Sequence, residues 1–363
     1  MKRIGLVKKR YLTKQKLNEI IELLTRPGKR NKWTPAMVKH WDQILKNKEK
    51  VIDELYDGLM NQTYKFHEFN IFYRYENGKK REIYASCPRD QIVDTLLDEC
   101  LKYVFTWKKQ LLHPHAYGSI QGKGQHELRI RVQKSIKGRS TCFVATLDTR
   151  KYYPTINHEV MKRTLERHIK DKWLLWLSFA TIDRMHGSVG MALGLASSNI
   201  LGHVYHAGMD WWITHELGAQ EYYRFCDDMI IISENKYLLH SMVQKIIEKT
   251  REDLKQEIKP TWQIVDATKE RFNFLGAAIS TKNAILISKG RRRVERKRIR
   301  KELRLDFNPV WSGDRNRIIR TWAGVKGGFT GLAVNNLITY WRTVKYPEFF
   351  KRLEDATNYK KKK

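Results

Sequence analysis

Three aspartates stand where side-chain propensity alone would not put them. Asp148 closes the apolar run Cys142-Phe-Val-Ala-Thr-Leu147, and Asp227 and Asp228 separate Tyr222-Tyr-Arg-Phe-Cys226 from Met229-Ile-Ile-Ile232. Carboxylates gathered in half-buried surroundings repel unless a cation bridges them. Hard divalent ions take oxygen ligands, and Mg2+ combines one or two carboxylates with substrate phosphates. Two such ions, with Mn2+ as a substitute, align an attacking hydroxyl and a leaving pyrophosphate in line. The chemistry these acids suggest is therefore nucleotidyl transfer. The plain alternative is a hairpin turn at Asp227-Asp228, since Asp is a common turn residue; Asp148 and the flanking apolar runs weigh against it.

The elements that must position these acids follow from the patterning. The two runs around Asp227-Asp228 read as a hairpin, and Cys142–Leu147 reads as a strand, followed by Tyr152-Tyr153-Pro154 and a helix that Asn157 can cap. Upstream, Phe66, Phe69, Ile71, Phe72 and Tyr73 lead to Asn77-Gly78 and then to Lys79-Lys80-Arg81-Glu82-Ile83-Tyr84, a second hairpin signal. Ile92, Val93, Leu96, Leu97 and Leu101 form the apolar face of a helix after Pro88, with Arg89-Asp90 offering a cap. Leu239, Met242, Val243, Ile246 and Ile247 mark another helix. Ile20, Ile21, Leu23 and Leu24 look like one face of a basic helical lead-in. Lys289 to Arg304 holds ten basic residues and two acids in sixteen positions. Val294, Ile299 and Leu303 give that segment one buried stripe and leave a cationic face, and Lys360 to Lys363 reads as a frayed tail.

Composition supports a nucleic-acid partner. Across 363 residues there are 70 Lys and Arg against 39 Asp and Glu, a net charge of +31. Charge of that size repels itself unless a polyanion neutralises it, so binding dominated by salt-sensitive phosphate contacts is expected, with a membrane surface second. A hydrophobic share of 41% with 11% aromatics is enough for a folded core. Cys87, Cys100, Cys142 and Cys226 form no C-x-x-C pair, so reduced thiols are expected rather than a disulfide framework or zinc module. His203 and His206 read as helix residues, not a metal pair. The basic N-terminus lacks a following apolar segment, and the run near Trp173 to Ile182 is too short to span a bilayer, so a cytoplasmic protein is expected. Gly118 to Gly124 lacks the spacing of a Walker loop and reads as a place where backbone approaches template or triphosphate closely.

Several of these stretches together resemble the reverse transcriptases. Asp148-Thr-Arg-Lys-Tyr-Tyr-Pro-Thr-Ile156 is similar to their motif A, and Phe225-Cys226-Asp227-Asp228 to their motif C, with Phe225 where Tyr is usual. Lys80 through Asp90 resembles the fingers, Ala116 through His126 the approach to the palm, and Phe274-Leu275-Gly276 the primer grip. The resemblance implies an α+β, right-hand polymerase fold with fingers, an antiparallel palm sheet and a helical thumb. The expected boundaries are 1–60 for a basic helical extension, 61–140 for fingers and the approach to the palm, 141–285 for the palm and 286–363 for thumb and tail. It implies that Asp148 and Asp227 hold two Mg2+ ions, supported by Asp228 and the carbonyl of Thr149. Template RNA, a cDNA or primer strand and deoxynucleoside triphosphates are the implied partners. Tyr153 falls at the place of an aromatic gate against a ribose 2′-hydroxyl, which favours DNA over RNA synthesis. Lys80, Arg81 and Arg89 are the candidates to grip the triphosphate, because Arg presents a fork matched to phosphate oxygens. Arg291, Arg292, Arg293, Arg296, Lys297 and Arg298 are the candidates for nucleic-acid contact, and Lys255 and Lys259 for a general acid.

Leu193-Gly194-Leu-Ala-Ser-Ser198-Asn199 bears on the subfamily. Many reverse transcriptases have Gln-Gly-x-x-x-Ser-Pro here, whereas those of diversity-generating retroelements have an aliphatic residue before the Gly and Gln after the Ser. Leu193 matches the latter group, and Asn199 matches in amide type but not in length. Ser119 through His126 and Trp322 to Gly327 also resemble that group. The resemblance implies error-prone copying opposite template adenines, an accessory variability protein as partner, and a prokaryotic or phage-encoded source. The alternatives are another prokaryotic reverse transcriptase (defence-associated, retron or group II-like), an RNA-directed RNA polymerase, which Tyr153 disfavours, and a non-catalytic nucleic-acid binder, for which the three acids would serve no purpose. No endonuclease segment is expected after the thumb.

Overall fold

The structure, a computed structural model, describes residues 6–30, 33–76, 79–108, 111–282, 285–307, 312–329 and 335–361. Helices α1 (Val7–Tyr11), α2 (Lys14–Thr25), α3 (Pro27–Arg30), α4 (Pro35–Lys46) and α5 (Lys48–Met60) precede strands β1 (Asn70–Glu76) and β2 (Lys79–Ala85). Then come α6 (Pro88–Lys102), β3 (Ala116–Tyr117), α7 (Gln125–Ile136), β4 (Phe143–Asp148), α8 (His158–His168), α9 (Lys172–Ile182) and α10 (Ser197–His215). The chain continues through β5 (Glu221–Phe225), β6 (Asp228–Ser233), α11 (Lys236–Leu254), β7 (Gln263–Asp266), β8 (Phe272–Phe274), β9 (Ala277–Ile279) and β10 (Leu286–Ile287). It ends with α12 (Lys289–Leu303), α13 (Ser312–Phe329), α14 (Asn335–Tyr340) and α15 (Pro347–Lys361). No helix among the described residues is long and apolar enough to cross a membrane.

Among the described residues the strands form a β1-β2 ribbon, a β10-β9-β8 sheet and a larger sheet in the order β3-β5-β6-β4-β7. An antiparallel larger sheet is what the sequence predicts, and β4 and β7 do pair that way, Phe143 opposite Asp266. One edge corrects the expectation: β3 runs parallel to β5, with Ala116 opposite Arg224 and Tyr117 opposite Phe225. A tight hairpin enforces antiparallel pairing, whereas the long crossover between β3 and β5 does not. The chain divides into two compact units, one made of Met1–Ile120, Leu147–Met229 and Ser241–Trp262, the other of Gln121–Thr146, Ile230–His240 and Gln263–Lys363.

In the first unit α2 buries Leu17, Ile20, Ile21 and Leu24, and Thr13 caps it. Leu23, expected on that face, is exposed, because a stripe at i, i+3, i+4 and i+7 excludes it. The apolar positions of α6 are buried as the periodicity predicts, with Pro88 in the first turn. Asp90 does not cap it, since it lies inside the first turn, fully buried. It accepts instead from Tyr64 Oη (2.6 Å), the His67 backbone N–H (3.0 Å) and Arg184 Nη2 (2.9 Å). Asn157 caps α8 as expected, accepting from Val160 N at 3.1 Å. β1 and β2 pair from Asn70–Ala85 to Glu76–Lys79, and the Asn77-Gly78 turn lies outside the described residues.

In the second unit β8 and β9 join through Leu275-Gly276, both at positive φ (48° and 76°). Buried Arg129 of α7 donates to the Leu275 carbonyl, and Gln133 donates to Ser280 O and Lys282 O, both at 2.9 Å. The helical core gathers Ile299, Ile318, Val325, Trp341, Phe349 and Phe350. On α12 the stripe differs from the expected one: Ile299 is buried, but Val294 and Leu303 are only half-buried, and the deeper positions are Glu295 and Glu302. Each glutamate has a cationic partner that makes burial tolerable. Glu295 meets Arg291 Nε (2.7 Å) and Arg298 Nη1 (3.1 Å), and Glu302 meets Arg317 Nε (2.8 Å). The basic run thereby splits. Arg291 and Arg298 serve Glu295, Arg296 donates to Tyr346 Oη at 3.4 Å, and Arg293, Lys297, Arg300 and Lys301 share an exposed face. The C-terminal tail is helical through Lys361, so the lysines from 360 onward do not fray where they are described; 362 and 363 lie outside the described residues.

Arg298→Ala should lower folding stability by about 1–3 kcal/mol, because it removes a partner of a buried carboxylate. Arg293→Ala on the exposed face should change it by less than about 0.5 kcal/mol. Urea denaturation of the two variants beside the parent checks the contrast.

Candidate active site

Asp148 ends β4, Asp227 sits in the turn after β5, and Asp228 begins β6. The backbone draws the first two together, since Thr149 N donates to Asp227 O at 3.0 Å. Burial, and then the charge of Asp148, push the Asp227 carboxyl above its ordinary value, against Lys259 and Arg81. Lys259 donates its backbone N–H to Asp148 O (2.9 Å) and its ammonium to Asp148 Oδ2. Of the two candidate general acids it is therefore Lys259 that reaches the acids, while Lys255 is exposed just beyond α11. Asp148 Oδ1 and Thr149 Oγ1 are buried without a hydrogen-bond partner. Repelling carboxylates with an unused, buried oxygen are a donor set that fits a hard divalent cation.

A buried ion pair stands behind this turn. Arg224 Nε and Nη2 meet Asp210 Oδ1 and Oδ2 at 2.7 and 2.6 Å, Tyr222 Oη adds a bond to Oδ1 at 2.6 Å, and Arg224 Nη1 donates to Cys226 O at 3.0 Å. Cys226 is left-handed (φ 53°). Burial pushes its thiol up to about 11, with Asp227 and Asp228 adding to the rise. A Cβ on Gly118 would lie 2.7 Å from Cys226 Sγ. At Gly118 the close approach that glycine permits is thus to this thiol, while Gly122 and Gly124 of the same loop have nothing within 4 Å of a Cβ. None of these supports stood out in the sequence. A lone Arg within an apolar strand, 14 residues after an Asp within a helix, was the available signal.

The candidate nucleotide residues converge in part. Tyr153 Oη donates to Asn199 Oδ1 at 2.8 Å, and burial, then Cys226 and Asp227, raise its phenol. Leu193 O accepts from Tyr84 N at 2.9 Å, and Gly194, at φ 131°, could carry no Cβ, which would lie 2.8 Å from Tyr84 O. Ser198 Oγ is spent on Ala192 O at 2.6 Å. The N-terminus of α10 has no cap of its own. Asp94 of α6 supplies one, accepting from Ala196 N at 2.6 Å and from the Ser197 hydroxyl. Lys80 and Arg81 are neighbours on one strand and so point to opposite faces. Arg81 bears on Asp227, while Lys80 lies 3.6 Å over the Tyr73 ring. Arg89 is paired with Glu54 at 2.5 Å. His203 and His206 sit in α10, donating to Gly118 O (2.6 Å) and bonding Gln256 Oε1 (2.9 Å). In the second unit, Phe274 is buried and Leu275-Gly276 forms the turn that Arg129 holds.

Residues 73–279, more than half of the chain and spanning Asp148, Asp227 and Asp228, match the family model of the reverse transcriptases (RNA-dependent DNA polymerases). The chain belongs to this family. No curated protein sequence matches it. As a reverse transcriptase it is an RNA-directed DNA polymerase, a nucleotidyltransferase with the polymerase palm fold, which takes template RNA, primer and deoxynucleoside triphosphates and uses divalent metal ions. The reverse transcriptase match begins within β1 and ends with β9, so it includes all of β2 and the Leu275-Gly276 turn.

Burial raises the Asp94 carboxyl to about 6, against the bonds from Ser197 and Ala196. The folded state then holds this proton to higher pH than the unfolded chain. The stability linked to it is complete below about pH 4 and is lost as pH rises through the folded value. Between pH 4 and pH 7 the stability difference between parent and Asp94→Asn should move in the variant's favour by about 2 kcal/mol. Paired denaturation curves at the two pH values measure it; a constant difference would contradict the buried, proton-linked cap.

Proposed function

We propose that this reverse transcriptase makes cDNA with two Mg2+ ions, replaceable by Mn2+, held by Asp148 and Asp227, with Asp228 and the Thr149 carbonyl in support. We propose further that it works as the mutagenic enzyme of a diversity-generating retroelement, with an accessory variability protein as partner. In this reading 61–140 are fingers, 141–285 palm and 286–363 thumb, after the extension 1–60. When bound, the ions supply charge neutralisation at the reacting phosphate and lower the pKa of the attacking hydroxyl. The chain's own contribution is position. The Arg224–Asp210 pair holds the turn, Arg81 faces the acids where a triphosphate would carry its charge, and Lys259 offers a proton donor beside Asp148. Arg293 and Lys297 have no role in the core of their unit and suit phosphate contact.

The observation that carries the finer reading is the bond from Tyr153 to Asn199. It ties the aromatic candidate for 2′-hydroxyl exclusion to the last residue of the subfamily motif, so sugar selection and base selection share one hydrogen bond. Asn199 spends its oxygen there and keeps only its NH2 for a base or its backbone. Leu193, half-buried, offers no side-chain hydrogen bond. A pocket short of one polar contact loses about 1–3 kcal/mol of discrimination, roughly tenfold to a hundredfold.

Asp227→Asn should abolish primer extension while leaving the circular dichroism spectrum unchanged; extension by the folded variant would remove the acids from the mechanism.

Fidelity tests the subfamily. Deep sequencing of cDNA made on a defined RNA, with any accessory protein supplied, should show parent errors concentrated at template adenines. Leu193→Gln should reduce them about tenfold, and Asn199→Gln should keep the bias. Uniformly low errors in the parent would favour a defence-associated or retron enzyme, and equal spectra for all three would take this loop out of base selection.

A further inference from the structure

Away from the polymerase acids, within the first unit, His67, Cys87 and Asp90 bring one ligand atom each to within 4.8 Å of one another. His67 Nδ1 lies 3.0 Å from Asp90 Oδ1 and 3.4 Å from Cys87 Sγ. His67 comes from the segment before β1, Cys87 is the residue that precedes α6, and Asp90 lies in the first turn of α6. We propose that these three side chains form a second metal site, for Zn2+, with three protein ligands and a fourth position left to water.

The donor set selects the ion. Imidazole nitrogen, thiolate sulfur and one carboxylate oxygen suit zinc, whereas the oxygen donors at Asp148 and Asp227 suit Mg2+. A tetrahedron built on ordinary Zn–N, Zn–S and Zn–O lengths has ligand-to-ligand edges of about 3.3–3.6 Å. The two separations through His67 Nδ1 lie within a few tenths of an ångström of that, and the Cys87–Asp90 pair lies within 4.8 Å. The carboxylate is already oriented by outer contacts: Arg184 and the His67 backbone N–H hold Oδ2, and Tyr64 donates to Oδ1. Arg184 balances the charge of Asp90, so Zn2+ with a Cys87 thiolate adds one net positive charge. Binding releases the Cys87 thiol proton to solvent and leaves the imidazole neutral.

Access is also present. His67 and Cys87 line a cavity of about 660 Å3 together with His40, Lys50, Glu54 and Arg89. The His67 side chain is 55% exposed, so an ion can reach the site without opening the core. A bound ion would clamp the segment before β1 onto α6, one turn ahead of Asp94.

Co2+ serves as the spectroscopic probe. Titrated into the full-length, reduced protein it should give a thiolate-to-cobalt charge-transfer band that saturates at about one equivalent and disappears when Zn2+ is added. Cys87→Ser should lose the band. His67→Ala, at a half-exposed ring, should leave the protein folded by circular dichroism and weaken cobalt affinity at least about tenfold. Asp227→Asn should leave the band intact. Absence of the band in the folded parent overturns the proposal. So does a band that survives in Cys87→Ser, which places the thiolate at another cysteine, or one that vanishes in Asp227→Asn, which places it beside the polymerase acids. Full affinity in His67→Ala also overturns it.

Discussion

Arg224 and Asp210 are both fully buried, and the geometry of the acidic turn depends on their pairing. Removing two charges from water costs several kcal/mol per ion, and only close, complete hydrogen bonding offsets it. Here the bonding is complete: two parallel bonds join guanidinium and carboxylate, Tyr222 adds a third to Asp210, and the remaining arm of Arg224 takes the carbonyl of Cys226. Burial alone would raise the Asp210 carboxyl, but Arg224 pulls it below its ordinary value. The bond to Cys226 is what couples this pair to chemistry. It holds a non-glycine residue in the left-handed region, at a cost of about 1–2 kcal/mol, and so sets where the chain releases Asp227 and Asp228.

A second constraint comes from α6. Asp90, Asp94 and Asp98 recur every four residues on a buried side of that helix, a pattern that would destabilise it if the acids faced only apolar neighbours. Each one has a task instead. Asp98 pairs with Lys102 at 2.6 Å, Asp94 caps α10, and Asp90 gathers Tyr64, His67 and Arg184. Gln256 plays a similar part around the motif that follows Asp148, donating to Tyr152 O (2.8 Å) and Thr155 Oγ1 (2.9 Å) while meeting His206. His206 is held neutral, its imidazole pushed down to about 3 by burial and then by Arg224. Buried polar bonds of this kind are stronger in a low-dielectric interior than in water and fix the orientation of the groups they join. The segment Leu193–Asn199 is held by Asp94 at the start of α10 and by Tyr153 at Asn199.

The large positive charge is managed differently in the second unit. Glu295 and Glu302 lie inward on α12 and retain Arg291, Arg298 and Arg317, which leaves Arg293, Lys297, Arg300 and Lys301 outside. One helix thus pairs some of its cations with buried carboxylates and presents others on an exposed cationic face. Helical periodicity sorts them: positions 295, 299 and 302 share the inner side, and 293, 297, 300 and 301 the outer.

Much of the site was legible in the residues themselves. Asp148 after an apolar run, the Asp227-Asp228 turn, the Asn157 cap and the apolar face of α6 each follow from local pattern, because alternation, helical spacing and capping act over a few residues. Tertiary structure decided the rest. That Tyr153 bonds Asn199 across 46 positions, that Arg224 closes on Asp210, that Asp94 caps a helix about a hundred residues away, and that Gly118 yields to Cys226 are long-range pairings no local window contains. The same holds for the errors: Asp90 looked like a cap and α12 looked like an apolar stripe because a buried charge is recognisable only once its partner is known. Local patterning determined which residues could do chemistry, and burial among distant partners determined how each is held.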